Sequence, residues 1–242
     1  MRRVFKELTE SETTALNAVE RVSGFTYFGS GSDAFDRLLG GGYRTGRLTE
    51  VFGRSNSGKS QLAMQAALLA AKEGIQTLFL DTEGSFRPER LEEMANARGW
   101  KTDGILEKIL YVRVDSSSEQ METAQKMEAR APTAPCRLVV VDTLTRNFTL
   151  DLPGRSNLSS RQAALDVYLS QMARDAYLHG RAYLLTNRVT YGSSHDVRIG
   201  GKTVEQLVDA SLRLERRGNE VRAELLLTGG IATATIDIAG VR

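Results

Sequence analysis

The chain has 242 residues, 41% of them hydrophobic and 26% charged, with a formal net charge of +2. That length holds one large domain or two small ones, and the composition is that of an ordinary globular protein. The small charge excludes a globally basic protein, so a nucleic-acid partner would have to meet a local basic patch, and the single cysteine excludes an intrachain disulfide.

The first seven residues, Met1-Arg2-Arg3-Val4-Phe5-Lys6-Glu7, lack the apolar core of a secretory signal. No stretch reaches the length of a membrane span, so a cytoplasmic protein is expected. Thr9-Glu10-Ser11-Glu12 is a capping box for a short amphipathic helix, which Gly24 stops; the helix belongs to a short leader over residues 1–27. Gly40-Gly41-Gly42 marks a sharp turn before a strand over 48–52. A helix is predicted over 61–72, where Gly74 can cap it. An apolar strand comes next, over 77–80. Pro88 suits the first turn of a helix over 88–98. Residues 109–114 read as a strand and 118–129 as a helix ended near Pro132. Leu138-Val139-Val140-Val141 has no polar alternation, as a parallel strand buried on both faces requires. Cys136 enters this strand and reads as a structural thiol rather than a nucleophile.

Residues 145–159 form a polar break that includes Pro153-Gly154. A helix from about Ser160 places Leu165, Tyr168, Leu169, Met172 and Ala176 on one face, with Gly180 at its stop. A strand over 182–185 precedes a second polar break over 191–201. Strands over 211–216 and 221–227 are joined by Gly218-Asn219, a hairpin signal, and 233–238 adds a further strand. The expected fold is α/β, with a mostly parallel central sheet, flanking helices and an antiparallel C-terminal extension. No repeat or interdomain linker interrupts residues 28–242.

The chemistry starts at Gly53-Arg54-Ser55-Asn56-Ser57-Gly58-Lys59-Ser60. A strand, G-x-x-x-x-G-K-S and a helix form a phosphate-cradling loop. Glycines let the backbone approach the phosphates, and the helix N-terminus favours negative charge. Gly53, Ser55, Asn56, Ser57, Gly58, Lys59, Ser60 and Gln61 are the candidate nucleotide contacts. Lys59 is expected at the β- and γ-phosphates of ATP and Ser60 at Mg²⁺. The apolar run 139–141 delivers Asp142 to the carboxyl edge of the sheet, where it suits the same Mg²⁺ or, alternatively, a turn cap. Glu83 is the candidate for orienting and deprotonating water. Asp81 shares its strand parity; both could face one way, or Asp81 could be a structural acceptor. The two histidines, His179 and His195, form no zinc-type cluster with cysteine.

Both polar breaks come after strands at the carboxyl edge, where open α/β sheets bind ligands. They carry or adjoin Arg146, Arg155, Arg161, Arg188, Arg198 and Lys202, with Tyr191 and His195 able to stack on bases. Charge plus aromatic platforms is how single-stranded nucleic acid is held; solvated loop charge is the alternative.

The block Asp81-Thr82-Glu83-Gly84-Ser85-Phe86-Arg87-Pro88-Glu89-Arg90-Leu91 closely resembles a signature of the archaeal and eukaryotic recombinases of the RecA superfamily. So does the run from Gly31 to Gly42. Pro153-Gly154-Arg155 through Gln162 resembles the family's first DNA-binding loop and the helix after it, and Ile199-Gly200-Gly201 the exit of its second. The resemblance covers about residues 28–242. It implies a RecA-type ATPase core, Glu83 as catalytic carboxylate, Arg90 stacked on adenine, and residues 145–159 and 190–201 facing DNA. The alternative for Arg90 is a helix-surface ion pair with Glu92 or Glu93.

Three features depart from the family. Residues 1–27 cannot supply its N-terminal DNA-binding domain. Arg188 stands where the family has a glutamine that relays the γ-phosphate to the second loop. That loop is short, and Leu227-Thr228-Gly229-Gly230 lacks the proline-bearing cap over a neighbour's nucleotide. Phe25-Thr26-Tyr27-Phe28 matches the polymerisation motif poorly and suits a core equally well. The whole is most similar to an archaeal RadB-type paralogue. It implies a nucleoid-associated protein that binds ATP, Mg²⁺ and single-stranded DNA. Hydrolysis would be slow, in support of homologous recombination and repair, with a main recombinase or other repair protein as partner and homo-oligomers possible. A full filament-forming recombinase and a nucleotide-regulated protein-binding mediator are the alternatives.

Overall fold

Unbroken apolar runs such as residues 138–141 arise where a strand is covered on both sides. In the computed structural model, Leu138 and Val140 join one apolar cluster while Val139 and Val141 join another. The structure describes residues 23–129, 136–191, 196–218, 220–227 and 230–237, with backbone alone at Tyr191, Leu227 and 230–237.

A two-stranded ribbon pairs β1 (Tyr27–Phe28) with β2 (Tyr43–Arg44) across α1 (Asp33–Leu38). The phosphate-loop strand β3 (Arg47–Gly53) leads into α2 (Lys59–Lys72), and β4 (Gln76–Asp81) into α3 (Pro88–Asn96), which has Pro88 in its first turn. Next come β5 (Ile109–Arg113), α4 (Ser117–Ala129) and β6 (Cys136–Asp142). Two helices, α5 (Arg146–Asp151) and α6 (Leu158–His179), precede β7 (Ala182–Tyr191). The chain then forms β8 (Asp196–Arg198), α7 (Gly201–Leu207) and the strands β9 (Ala210–Arg217), β10 (Glu220–Leu227) and β11 (Gly230–Asp237).

The main sheet runs β11-β10-β9-β3-β7-β6-β4-β5, with β8 paired to β7. Pairings from β9 through β5 are parallel; β10 and β11 add antiparallel strands at the C-terminal end. On one face α2 brings Ala63, Ala66, Ala67, Ala70 and Ala71 against Val51, Phe79, Val140 and Leu184. Its small side chains let the helix lie close to the strands. On the other, α6 buries Leu165, Tyr168, Leu169 and Met172 against Leu48, Leu80, Val141 and Leu185. Gly180 ends α6 in the left-handed conformation, as the sequence predicts.

The described parts of the two polar breaks are more ordered than their composition suggests. Residues 145–159 open with α5, because Phe148 and Asn147 are buried and Thr145 O accepts the first helical bonds. In the second break, Tyr191 closes a longer β7 and residues 196–198 form β8, which pairs antiparallel with its end. The helix over 9–22, the stop at Pro132 and turn residue Asn219 lie outside the described residues. Among the described residues no helix is long and apolar enough to cross a membrane.

At the amino edge of the sheet, Asp175 and Arg181 form an ion pair in which each side chain is 1% exposed. Tyr183 Oη donates to Asp175 at 2.6 Å, and Arg181 Nε donates to the Cys136 carbonyl at 3.1 Å. Removing one member leaves a buried charge uncompensated. Asp175→Ala is expected to cost about 3–5 kcal/mol, read as a lower urea midpoint at unchanged slope; a loss within about 1 kcal/mol would contradict this.

Candidate nucleotide site

Strand register places the site. Gly53, the last residue of β3, pairs with Arg188 on β7 and Leu214 on β9. A Cβ at Gly53 would lie 2.4 Å from the Leu214 carbonyl oxygen, so only glycine fits. The loop then turns through left-handed residues at Asn56 (φ 61°) and Gly58 (φ 97°). Gly58 caps α2 without a side-chain bond, which leaves first-turn N–H groups free for an anion.

Lys59 folds back over this loop. Its Nζ donates to the carbonyls of Gly53 (3.0 Å) and Arg54 (2.7 Å) and lies 3.4 Å from Ser57 Oγ. Burial lowers its pKa, Asp142 and Glu83 pull it back up, and Arg188 adds to the lowering.

Three carboxylates stand at the ends of β4 and β6. Asp142 is buried; Thr186 Oγ1 and the Ser60 hydroxyl donate to it, and Ser85 Oγ lies 3.3 Å away. Burial raises its pKa against the two hydroxyl bonds, with Glu83 and Asp81 adding to the rise. Glu83 Oε1 accepts from Thr143 Oγ1 at 3.0 Å and sits 2.6 Å from Arg188. Asp81 accepts the backbone N–H groups of Glu83, Gly84, Ser85 and Phe86 at 2.8–3.2 Å. It holds the turn that carries Glu83. The shared parity does not survive, because β4 ends at Asp81 and the chain bends there.

These groups surround a cleft of about 400 Å³ lined by Ser55, Asn56, Gly58, Lys59, Ser60, Gln61, Glu83 and Arg188. Ser85, Thr143, Met64 and Arg216 line it as well. The sequence offered no signal for Thr143 or Arg216, which reach the cleft from a turn and from β9. Gly53 and Ser57 line a smaller cavity on the other side of the loop. Arg90 stands off the cleft: Nε donates to Gln61 at 3.2 Å and NH1 pairs with Glu93 at 2.6 Å, the ion pair weighed as its alternative.

No group of three or more His, Cys, Asp or Glu residues suited to a metal occurs among the described residues. Mg²⁺ needs no such cage, since one carboxylate, a hydroxyl, waters and phosphate oxygens satisfy it. Ser60 and Asp142 fit it: they are in contact, and the Asp142 carboxylate is buried with hydroxyl donors around it rather than a cationic side chain in contact.

The basic residues separate by partner. Arg155 is exposed, and its side chain has no partner among the described residues; Lys202 is exposed in the first turn of α7. Arg146 NH1 donates to the Thr82 carbonyl (2.8 Å) and Arg161 NH1 to that of Leu152 (2.7 Å). Arg188 points into the nucleotide cleft. Arg198 is turned inward: NH1 pairs with Glu50 and lies 2.8 Å from Ser211 Oγ, and the guanidinium sits 5.1 Å above the Phe52 ring. The buried Glu50 carboxylate is the reason. Tyr191 closes β7 opposite Asp196, and His195 lies outside the described residues. Phe25 packs edge-on against Tyr177 of its own chain, and Phe28 is buried.

Two links join the cleft to the loops. Asn187 Nδ2 donates to Glu50 (2.7 Å) and to the Ile199 carbonyl (2.8 Å), while its Oδ1 accepts from Thr145 Oγ1 (2.7 Å). Arg54, in the phosphate loop, makes a two-point ion pair with Asp196, the first residue of β8, at 2.6 and 3.0 Å.

The family model for Rad51 matches residues 22–205. The chain belongs to the Rad51 family. This Rad51-family chain is 34% identical over 209 residues to "DNA repair and recombination protein RadA" of Ignicoccus hospitalis, an alignment that covers 79% of the chain and 64% of that protein. It is 32% identical over 247 aligned positions to the protein of the same title from Metallosphaera sedula, covering 95% of the chain and 76% of the relative.

In this Rad51-family core, Glu50 is fully buried, and burial raises its pKa against the opposing pull of Arg198, Asn187 and Ser211. A carboxyl raised above its unfolded value contributes stability at low pH that is lost as pH climbs through the folded value. Glu50→Gln removes that loss. Its melting temperature relative to the parent should therefore rise as pH goes from the ordinary carboxylate range toward neutrality, in scans at fixed ionic strength. A relative fall would mean that the ion pair with Arg198 outweighs desolvation.

Proposed function

We propose that this chain is an ATP-hydrolysing recombinase paralogue of the RadB type, which binds single-stranded DNA and assists homologous recombination and repair. The convergence of Lys59, Ser60 and Glu83 on one cleft at the carboxyl edge of the sheet, with Asp142 in contact with Ser60, carries this reading. Residues 28–242 form the ATPase core and 1–27 a leader. The protein works in the cytoplasm at the nucleoid, beside a main recombinase or other repair protein.

The first-turn N–H groups of α2 and Lys59 hold the β- and γ-phosphates of ATP, and Gln61 with Arg90 flanks the base side. When bound at Ser60 and Asp142, Mg²⁺ neutralises charge on the phosphate oxygens. Glu83 orients a water in line with the γ-phosphate and accepts its proton at the carboxylate. Thr143 fixes the carboxylate through its 3.0 Å bond. Hydrolysis is slow, because Glu83 is shared with Arg188.

Arg155 and Lys202, both exposed, are the phosphate contacts for DNA in this reading, with Tyr191 and His195 as stacking groups. Arg198 enters as a strut that holds the second loop against Glu50, and Arg146 and Arg161 as struts of the first.

Mg²⁺–ATP at about one hundred times its dissociation constant should stabilise the parent by about 2.7 kcal/mol. Lys59→Ala should lose most of that gain in thermal-shift titrations; an unchanged shift would remove Lys59 from the phosphate site. For DNA, Arg155→Ala should weaken binding of a dye-labelled single-stranded oligonucleotide and lower the salt slope by about one. Fluorescence anisotropy at several salt concentrations reads both, and an unaltered slope rules the residue out as a phosphate contact.

A further inference from the structure

We propose that Tyr111 and Arg113, on the outer strand β5, are positioning residues for Glu83: they clasp Asp81 and the turn that follows it, and so fix where the Glu83 carboxylate stands in the cleft. The inference rests on the reading of Glu83 as the carboxylate that orients water, and extends it to residues outside the cleft.

Strand register brings them together. Asp81, the last residue of β4, pairs with Arg113, and Phe79 pairs with Tyr111. Side chains two apart point to one face, so Tyr111 and Arg113 both stand on the face of Phe79 and α2. Asp81 is fully buried and gathers the turn on one carboxylate: Oδ1 accepts from the N–H groups of Glu83, Gly84 and Ser85, and Oδ2 from that of Phe86. Tyr111 Oη donates to the same Oδ2 at 3.3 Å, and Arg113 NH1 lies 3.6 Å from Oδ1. Burial raises the pKa of the Tyr111 phenol and Asp81 adds to the rise, so the hydroxyl keeps its proton and donates. The Tyr111 ring stacks on Phe86, with centroids 4.6 Å apart and planes 22° apart, and Phe86 rests in turn against Phe79 at 4.8 Å. At the middle of the turn, a Cβ on Gly84 would come within 2.8 Å of Arg113 NH1, so the guanidinium lies directly over the chain there.

A buried carboxylate must keep its donors, because leaving one unpaired is costly. The orientation of Asp81 therefore sets the path of residues 83–86, and with it the base from which the Glu83 side chain reaches Thr143 at 3.0 Å. Tyr111 and Arg113 fix that orientation from the flank, with a hydroxyl on Oδ2 and a cation beside Oδ1. Neither residue lines the cleft. β5 is the last strand of the sheet, paired on one side only among the described residues. An outer strand is held less firmly than a central one, so this wall yields before the pairing of β4 with β6 does. In-line attack tolerates little displacement: a shift of about 1 Å, caused away from the chemistry, can cost about a hundredfold in rate. Loss of one flanking donor moves the turn by less and costs less.

The experiment separates turnover from binding. Single-turnover release of labelled phosphate from ATP reads the chemical step, calorimetry reads the affinity for a non-hydrolysable ATP analogue with Mg²⁺, and thermal melting reads the fold. Tyr111→Phe keeps the stack on Phe86 and loses the donor. It should slow release about three- to tenfold, with affinity within about twofold of the parent. Arg113→Gln should slow release similarly, and Arg113→Lys should recover part of the loss. Leu110→Ala, on the opposite face of the same strand, should leave release unchanged. In a Glu83→Gln background Tyr111→Phe should cost nothing more, since it acts through that carboxylate. Release at the parent's rate in Tyr111→Phe, equal slowing by Leu110→Ala, a matching loss of nucleotide affinity, or further slowing in the Glu83→Gln background overturns the clasp and leaves the nucleotide site standing. If Glu83→Gln alone releases phosphate at the parent's rate, or the parent releases none while binding the analogue, the reading of Glu83 itself fails and the clasp with it. Should Tyr111→Phe not melt cooperatively, the two Arg113 variants decide alone: no slowing in Arg113→Gln, or no recovery in Arg113→Lys, rules the clasp out.

Discussion

The pairing of β3 with β7 is the constraint on which the rest of the molecule depends. It is parallel and central, and it aligns Gly53 with Arg188 and Phe52 with Asn187. Parallel strands bring their carboxyl ends to one edge, and that edge gathers the phosphate loop, Asp142, the turn after Asp81 and the start of the second loop. A slip of one residue would turn every side chain of β7 over. Asn187 would then leave Glu50, and Arg188 would leave the cleft. Burial of both sheet faces forbids the slip, because Leu184 and Leu185 serve opposite apolar clusters.

The cleft itself is electrostatically unfinished. Lys59 gives its hydrogen bonds to its own loop, and burial disfavours charge on the Asp142 carboxyl. Both suit a site completed by phosphate and a divalent cation, where strain against local rules is expected. The polar cluster around Glu50 does the opposite: its partners are internal and the groups satisfy one another. The cluster around Glu50 therefore keeps two loops in place.

Much of the frame could be read from residue order. The strands at 48–52 and 138–141 declare themselves through continuous apolar runs, and α6 through its repeating apolar face and terminal glycine. The phosphate loop is legible because glycine positions, lysine and flanking elements all agree. Short elements escaped: α1, α5 and α7 are each under eight residues, too brief for a period to show. α5 hides in polar sequence because one buried Phe148 and one buried Asn147 suffice to fix it. Partnerships across long sequence distance escaped too. Nothing near Arg198 announces that Glu50 would turn it inward, and nothing near Arg188 announces Glu83, since the backbone path alone makes them neighbours. Asp81 was ambiguous for the same reason: its role depends on a bend that strand parity cannot foresee.

The two-point pair between Arg54 and Asp196 has a further bearing. It ties the phosphate loop to the base of the second loop, and with the Arg54 side chain 62% exposed it stands in reach of dissolved ions. Electrolyte would thus slacken an internal tether in the same range in which it screens any polyanion resting on that loop. Response to ionic strength would then report two loosened springs in series, one within the fold and one at its surface.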